Sequence, residues 1–441
     1  MKPTESQLDA ARFICRRPRS YLFGVVGSGK RLPILIAMGH LLSRGEYGID
    51  RGVIVCTAAG LISWRQHINR HKPEGLKFVF YKDSDQFQPG TLTLISYTQL
   101  IRLPKLRPPA NAFVCLDECH KIKSPTTQTA RAVRHFFARA KHLTLATGTR
   151  MSVGYIDFYN QYRMLDIPGY PRTKSEFLRR FCHVVNVDYG RGPVREIVGY
   201  KNTHPENRES SDPLLIELIE PHTYHYRDKQ PMPELKERVI SLEVDRDLLR
   251  KYNETQRYFE RYYQYKAKHL DTRYAVFSFK AEAIQNLIFN SLDYLRKRAI
   301  VVYQLTGELK ILENVFRDRI RCAVLSGQTS LARKTEIIRN WQAGEYRMLI
   351  TQIKCAVDSV DLHSGNYMIF TSPVWSLIDY RQMVGRIYRK GQENPCRVDI
   401  LSLKGGVDEN IAKALSVRKE ADKKFLEARR ILHRERSLQS A

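Results

Sequence analysis

Two series of short, almost unbroken apolar runs, each alternating with stretches of helical periodicity, limit the fold of this chain more than any other feature. Tyr21–Val26, Val53–Thr57, Thr91–Ser96, Phe113–Asp117 and His142–Ala146 form the first series; Ala299–Tyr303, Arg321–Leu325, Arg347–Thr351, Tyr367–Thr371 and Arg397–Leu403 form the second. A strand that is apolar on both sides must be covered on both faces, and strands joined through helices pair in parallel. The expectation is an α/β protein with two parallel-sheet lobes in tandem. Between them, residues 154–290 lose the alternation and turn rich in Tyr, Arg and Pro, which predicts a mostly helical insertion and linker. Beyond Asp408 a charged stretch carries apolar residues at helical spacing. The expected divisions are 1–153, 154–290, 291–405 and a basic helix over 406–441.

Composition narrows the partner. The 441 residues hold 73 Lys and Arg against 46 Asp and Glu, a formal charge of +27. An excess of that size points to a polyanion, nucleic acid before membrane, since no basic amphipathic anchor helix stands out. With 43% hydrophobic residues the chain has enough for packed cores, which excludes disorder as the dominant state. No apolar run approaches the ~18 residues of a spanning helix, and the first twenty residues lack a signal-peptide core, so a non-membrane, cytoplasmic protein is expected. The eight cysteines are scattered without a C-x-x-C pair, which indicates neither a disulfide framework nor a zinc module.

Gly24-Val-Val-Gly27-Ser28-Gly29-Lys30 follows the first strand and precedes the helical stretch Leu32–Leu42. Glycines let backbone N–H groups close around phosphate oxygens, the helix N-terminus adds positive dipole, and Lys30 is placed to reach the β and γ phosphates. The plainer alternative is a glycine-rich turn. One position departs from the pattern: after the lysine a Ser or Thr hydroxyl should bind Mg²⁺, and Arg31 stands there. A guanidinium cannot ligate a cation. Magnesium is then held by fewer protein ligands, or ATP turnover is impaired, or the position is a substitution. The fourth strand ends in Leu116-Asp117-Glu118-Cys119-His120, on a strand expected beside the first. Asp117 at its tip is suited to hold Mg²⁺ through water, and Glu118 to polarise the water that attacks a γ-phosphate.

Asp117–His120, Leu145-Ala-Thr-Gly-Thr149 and Gln382-Met-Val-Gly385-Arg386-Ile-Tyr-Arg389-Lys-Gly391-Gln392 resemble motifs II, III and VI of superfamily 2 helicases. The likeness is strongest to the Swi/Snf-like DNA translocases. Their last motif ends in an R-x-G-Q element like Arg389–Gln392, and their motif Ia carries a Trp as Ala58–Trp64 does. Tyr200-Lys-Asn, Pro221–Lys229 and Pro233–Lys236 follow the order of their middle segment, and Gly406–Leu415 is similar to the helix that closes their second lobe. The compact size resembles the phage-borne members, including those that remodel replication forks or migrate branches. The resemblance implies two RecA-like lobes, ATP and Mg²⁺ as cofactors, and, if a phage encodes the chain, a place in the host cytoplasm. It implies that Gln7 reads adenine, that Gly24, Gly27, Ser28, Gly29, Lys30 and Arg31 surround the phosphates, and that His120, Thr147, Gly148 and Thr149 couple nucleotide state to the nucleic-acid groove. Gln382, Arg386 and Arg389 act from the second lobe, the two arginines as arginine fingers, and their i, i+3 spacing puts both on one helix face. Motif V is reduced here: Gln352–Leu362 has Ala356, Val357 and Ser359 where relatives carry glycines, and only the Asp361-Leu362 end matches.

Motors of this kind grip the nucleic-acid backbone through small hydroxyl residues and main-chain N–H groups at strand ends, which bind phosphate without reading bases. Thr57, Ser96, Tyr97, Ser326, Gly327 and Thr351 occupy such ends. The expected function is an ATP-dependent DNA translocase or helicase, a monomer, acting on duplex, forked or branched DNA, with a single strand also admissible. Two alternatives stand beside it: a nucleic-acid clamp with impaired ATP turnover, suggested by Arg31, and an RNA-directed DExH helicase. His67 and His71, like His222 and His225, have no third ligand at metal spacing and read as core or surface histidines.

Overall fold

In the computed structural model the two series of runs become two separate sheets, with every neighbouring pair of strands in each parallel. The structure describes residues 3–24, 28–71, 76–82, 87–137, 140–149, 151–188, 193–226, 232–262, 267–289, 298–304, 306–356, 362–389 and 391–439. It divides into two compact units, Met1–Asp228 with Arg418–Ala441, and Lys229–Val417.

The first unit begins with α1 (Glu5–Arg16), opened by a reciprocal cap: Gln7 N–H donates to Thr4 Oγ1 and Gln7 Oε1 accepts from Thr4 N–H. Next in the chain are β1 (Arg19–Gly24), α2 (Arg31–Arg44), β2 (Arg51–Cys56), α3 (Ala58–His71), β3 (Lys77–Phe80), β4 (Thr91–Ser96), α4 (Tyr97–Arg102), β5 (Ala112–Asp117), α5 (Gln128–Phe137) and β6 (His142–Thr147). Then come α6 (Ile156–Arg163), α7 (Lys174–Phe181), an antiparallel hairpin of β7 (Cys182–Asp188) and β8 (Pro193–Tyr200), α8 (Leu215–Ile219) and β9 (Thr223–Tyr226). The strand order is β3-β4-β2-β5-β6-β1-β9. The central strands β4, β5 and β6 are buried along their whole length, as their unbroken apolar runs require. One expectation is corrected here: β5 does not lie beside β1, because β6 pairs with both and stands between them.

The second unit holds β10 (Leu235–Leu242), α9 (Arg246–Tyr262), α10 (Ala267–Phe289), β11 (Ala299–Tyr303), α11 (Thr306–Phe316), β12 (Cys322–Leu325), α12 (Leu331–Ala343), β13 (Met348–Gln352), α13 (Ile353–Ala356), β14 (Tyr367–Phe370), α14 (Leu377–Ile387), β15 (Cys396–Leu403) and the start of α15 (Val407–Gln439). Its order is β10-β15-β14-β11-β13-β12. Register at the β10 edge is pinned by charge. Asp399 of β15, fully buried, accepts two bonds from the facing Arg238, from Nε (2.7 Å) and Nη2 (3.0 Å), a further bond from Arg397 (2.7 Å) and the Tyr367 hydroxyl (2.7 Å). A carboxylate in that position costs several kcal/mol unless it is paired, so sliding β10 by one residue is penalised. Lys280 of α10 is likewise buried and bonds Asp408 Oδ2 and Ser372 Oγ, each at 2.6 Å.

The segment 154–290 holds more helix than strand, and its elements are divided between the two units. Its first part supplies α6, α7, the hairpin and β9 to the first unit, its second part β10, α9 and α10 to the other. β9 is only four residues and β10 is an edge strand exposed along much of its length, so neither shows the continuous apolar run that marks a covered strand. The far part of α15 is counted with the first unit, where Phe425 packs against Tyr155 and Phe158 at 5.6 and 5.4 Å between ring centroids. Among the described residues no helix is long and apolar enough to cross a membrane, and all eight cysteines are free thiols.

His142 opens β6 fully buried, donating from Nε2 to the Ile14 carbonyl at 3.0 Å. Burial pushes its pKa down from 6.5 to about 4, the Ile14 hydrogen bond opposing and the charge of Arg19 adding. The folded value lies below the unfolded one, so acid favours the unfolded chain: the stability present above pH 6.5 is lost as pH falls toward 4. Urea unfolding of the first unit should lose about 2 kcal/mol between pH 7 and pH 5 through this group, and His142→Asn should flatten that dependence by the same amount.

Candidate active site

The C-terminal ends of parallel strands are where α/β sheets receive ligands, and the expected loop residues of the first unit gather there. β1 ends at Gly24, and the chain re-enters the described structure at Ser28 before α2 starts at Arg31. Gly27 lies outside the described residues. Gly24 is required by close approach: a Cβ there would sit 2.8 Å from Ser28 Oγ and 2.9 Å from Lys30 Cγ. Gly29 has φ +84°, a left-handed backbone, and a Cβ on it would stand 3.4 Å from Gln7 Nε2, which puts the Gln7 amide against the loop. Lys30 Nζ donates to the Gly24 carbonyl at 2.6 Å. Burial pulls its pKa below the ordinary value, Glu118 and Asp117 oppose that shift, and the charge of Arg31 adds to it. Ser28 is 5% exposed, and its Oγ has no hydrogen-bond partner among the described residues.

Asp117 ends β5 with both carboxylate oxygens engaged. Oδ1 accepts from the Glu118 N–H at 3.1 Å, and Oδ2 accepts from Trp64 Nε1–H at 2.7 Å with Arg31 Nε 3.5 Å away. Arg31 also donates to Ser63 Oγ and lies over the Trp64 ring, 5.1 Å from its centroid. One guanidinium therefore ties α2 to α3 and to β5. Trp64, fully buried on α3, stands in the sequence as part of a motif Ia-like segment, without a role at the site. A single Trp at a helical apolar position looks like core, and only the fold shows its N–H aimed at Asp117.

Glu118 has φ +56° and ψ +49°, a conformation unfavourable for a residue with a Cβ. It turns the carboxylate away from the β5 axis into a polar cluster. His120 Nδ1 lies 3.2 Å from Glu118 Oε2 and 3.1 Å from Thr147 Oγ1; Thr147 Oγ1 is 3.3 Å from the same Glu118 oxygen and accepts the Thr149 N–H at 3.1 Å. Gly148, between the threonines, is buried. Burial would raise the Glu118 pKa, but the hydrogen bond with His120 and the positive charges of Lys30 and Arg31 hold it below its ordinary range.

Of the expected nucleic-acid contacts in this unit, Thr57 Oγ1 accepts the Gly60 N–H at 3.0 Å at the start of α3. Ser96 is buried as the cap of α4, and Tyr97 is buried with its hydroxyl on the Asp117 carbonyl at 2.8 Å. Tyr97 thus supports the acidic pair from below and offers no loop-tip hydroxyl.

In the second unit Gln382 and Arg386 are buried on α14, and Gln382 Oε1 has no partner among the described residues. The helix ends at Ile387, and Tyr388 has left helical backbone, so Arg389 does not share a helix face with Arg386 as the spacing suggested. The chain beyond the helix is fixed by Gln392, whose Nε2 lies 2.9 Å from the His363, 3.0 Å from the Gly365 and 3.1 Å from the Ile387 carbonyl. Ser326 and Gly327 form a turn after β12 in which Gln328 N–H donates to Ser326 Oγ, with Gly327 exposed. Thr351 is buried in β13, its hydroxyl turned to the Gln352 carbonyl at 3.4 Å. Asp361 lies outside the described residues.

Residues 280–391 match the family model for the helicase conserved C-terminal domain. Among curated proteins, the probable global transactivator of Orgyia pseudotsugata multicapsid polyhedrosis virus is 27% identical over 119 residues, 26% of this chain and 24% of that protein. DNA repair protein RAD5 of Candida glabrata is 23% identical over 123 residues, 26% of this chain and 11% of that protein. The aligned stretches thus span about a quarter and about a tenth of the two relatives. Among solved structures, the SWI2/SNF2 ATPase core of Sulfolobus solfataricus in complex with dsDNA aligns with 95% of this chain and 92% of its own at 18% identity and a TM-score of 0.44. The C-terminal part of the Fun30 ATPase domain aligns with 31% and 44% at 21% identity and a TM-score of 0.30. The family match runs from α10 to Gly391, within the second unit.

Proposed function

We propose that the chain is an ATP-driven nucleic-acid motor of the superfamily 2 type, working on DNA. The observation that carries this reading is the Glu118 carboxylate, held in a left-handed turn at the end of β5 and joined to His120 and Thr147. The loop bearing Lys30 ends β1, one strand removed in the same sheet. The family match within the second unit and the charge of +27 support it.

In this reading Lys30, lifted from the Gly24 carbonyl, meets the phosphates. Glu118, kept ionised by its surroundings, orients and polarises the attacking water. Hydrolysis changes the charge that Glu118 faces, and His120, Thr147 and Thr149 pass the change along the strand ends. Arg386 and Arg389 are assigned the neutralisation of charge on the transferred phosphoryl group, and the R-x-G-Q ending with the RAD5 likeness favours DNA over RNA. Fork remodelling and branch migration are the outcomes proposed for a motor acting on duplex or branched DNA.

ATP motors of this type imply Mg²⁺, and the residues present do not fit that ion. Its hydroxyl ligand is replaced by Arg31, and both oxygens of Asp117 are occupied by N–H donors from Trp64 and Glu118, with a guanidinium beside them. Among the described residues no cluster of three His, Cys, Asp or Glu side chains is arranged to hold a metal. The same pairing favours a second reading, a clamp that binds nucleic acid with little turnover. A large gain of ATPase activity in Arg31→Thr would identify the clamp.

ATPase activity should rise with duplex, forked or four-way DNA, and Glu118→Gln should lower the stimulated rate by about 10²–10⁴-fold with nucleic-acid binding retained. Unchanged turnover in both Glu118→Gln and Lys30→Ala would overturn the site. Affinity for duplex DNA should fall linearly in log–log form as salt rises, by roughly one decade per decade of salt for each phosphate contacted. Equal stimulation by RNA, measured in parallel, would remove the preference for DNA.

A further inference from the structure

Lys30, Arg31, Asp117 and Glu118 balance one another, two positive charges against two negative, with no ion added. Arg31 is held on three sides, by Ser63 Oγ, by Asp117 Oδ2 at 3.5 Å and by the face of Trp64. Its side chain is still 27% exposed, at the first turn of α2 directly after Lys30. A guanidinium has five N–H donors, and Ser63 and Asp117 do not exhaust them. Trp64 fixes the arrangement, because its Nε1–H and the guanidinium share one carboxylate oxygen. A divalent cation at this carboxylate would meet the guanidinium's like charge and find no hydroxyl ligand. The loop also holds a polar atom without a partner among the described residues: Ser28 Oγ, buried beside Gly24.

We propose that Arg31 replaces the divalent cation at the phosphate loop. Its guanidinium, with the Lys30 ammonium and Ser28 Oγ, receives the phosphate oxygens of a nucleoside di- or triphosphate, which binds here without Mg²⁺. Asp117 serves as the counter-ion that aims the guanidinium, and Trp64 as the residue that aims Asp117. The inference rests on the proposed reading of this loop as the nucleotide site and specifies what that site requires.

The test is a titration of the full chain with the fluorescent N-methylanthraniloyl derivative of ADP, in excess Mg²⁺ and in EDTA, a readout independent of turnover. Wild-type affinity should agree in the two buffers within about threefold. Arg31→Thr should lose about tenfold or more in EDTA, the scale of a charge-assisted pair, and recover in Mg²⁺, since it restores the hydroxyl and frees Asp117. Arg31→Gln, which keeps the side chain's length without its charge, should lose affinity in both buffers and serves in place of Arg31→Thr if that variant does not fold. Wild-type binding more than tenfold weaker in EDTA would overturn the proposal, as would Mg²⁺-independent binding of normal strength in the Arg31 variants. Absence of binding in both buffers would instead overturn the nucleotide-site reading itself, and the proposal with it.

Discussion

A carboxylate buried at the tip of a strand must be satisfied by its neighbours, and in the first unit Asp117 organises its surroundings for that reason. Its partners come from three directions: the backbone N–H of Glu118, the indole N–H of Trp64 on α3, and the guanidinium of Arg31 on α2. Leaving such a group unpaired costs several kcal/mol, so two helices and a turn are held to β5 by the need to neutralise one side chain. Tyr97 closes the arrangement from the next element, bonding the carbonyl of the same residue.

The turn at Glu118 depends on this anchor. A left-handed non-glycine residue costs on the order of 1–3 kcal/mol, and at Glu118 the cost is offset by the hydrogen bond from its N–H to Asp117 and by the His120–Thr147 cluster that receives its carboxylate. Relaxed into extended backbone, Glu118 would project along the strand and lose those contacts. The strain therefore aims the acid, and the polar cluster links that aim to β6, the strand standing between the loop of β1 and the acidic pair of β5.

Much of this was legible in the chain. Covered parallel strands announce themselves as unbroken apolar runs, and a glycine-rich loop and an acidic strand end are short-range patterns. Each feature that escaped did so for a physical reason. β9 and β10 lie at sheet edges, where one side need not be apolar, so their pattern dissolves into the surrounding loops. The separation of β5 from β1 by β6 is a matter of strand order, which no local pattern encodes. Ser96 and Tyr97 have the composition of a loop tip but are used as a helix cap and a buried strut, and Arg389 falls past the end of α14 because Tyr388 leaves helical backbone. Trp64 and Gln392 stand within motifs, but their partners do not, since these lie far away in sequence: Asp117 for the one and carbonyls of His363 and Gly365 for the other.

The excess of positive charge is also easily misread as a count of phosphate contacts. Arg238 and Arg397 are paired with the buried Asp399, and the buried Lys280 with the buried Asp408. Arg31 answers a buried carboxylate in the same way, but beside a glycine-rich loop whose serine oxygen has no partner among the described residues, with part of its side chain open to solvent. The chemistry of the pair is shared; the surroundings differ. An arginine whose counter-ion holds it beside a glycine-rich loop keeps donors that its two partners there do not use. Exposure alone does not separate them, since the side chains of Arg238 and Arg397 are 49% and 27% exposed and that of Arg31 27%; Arg31 differs in its place beside the glycine-rich loop and the unpartnered Ser28 Oγ.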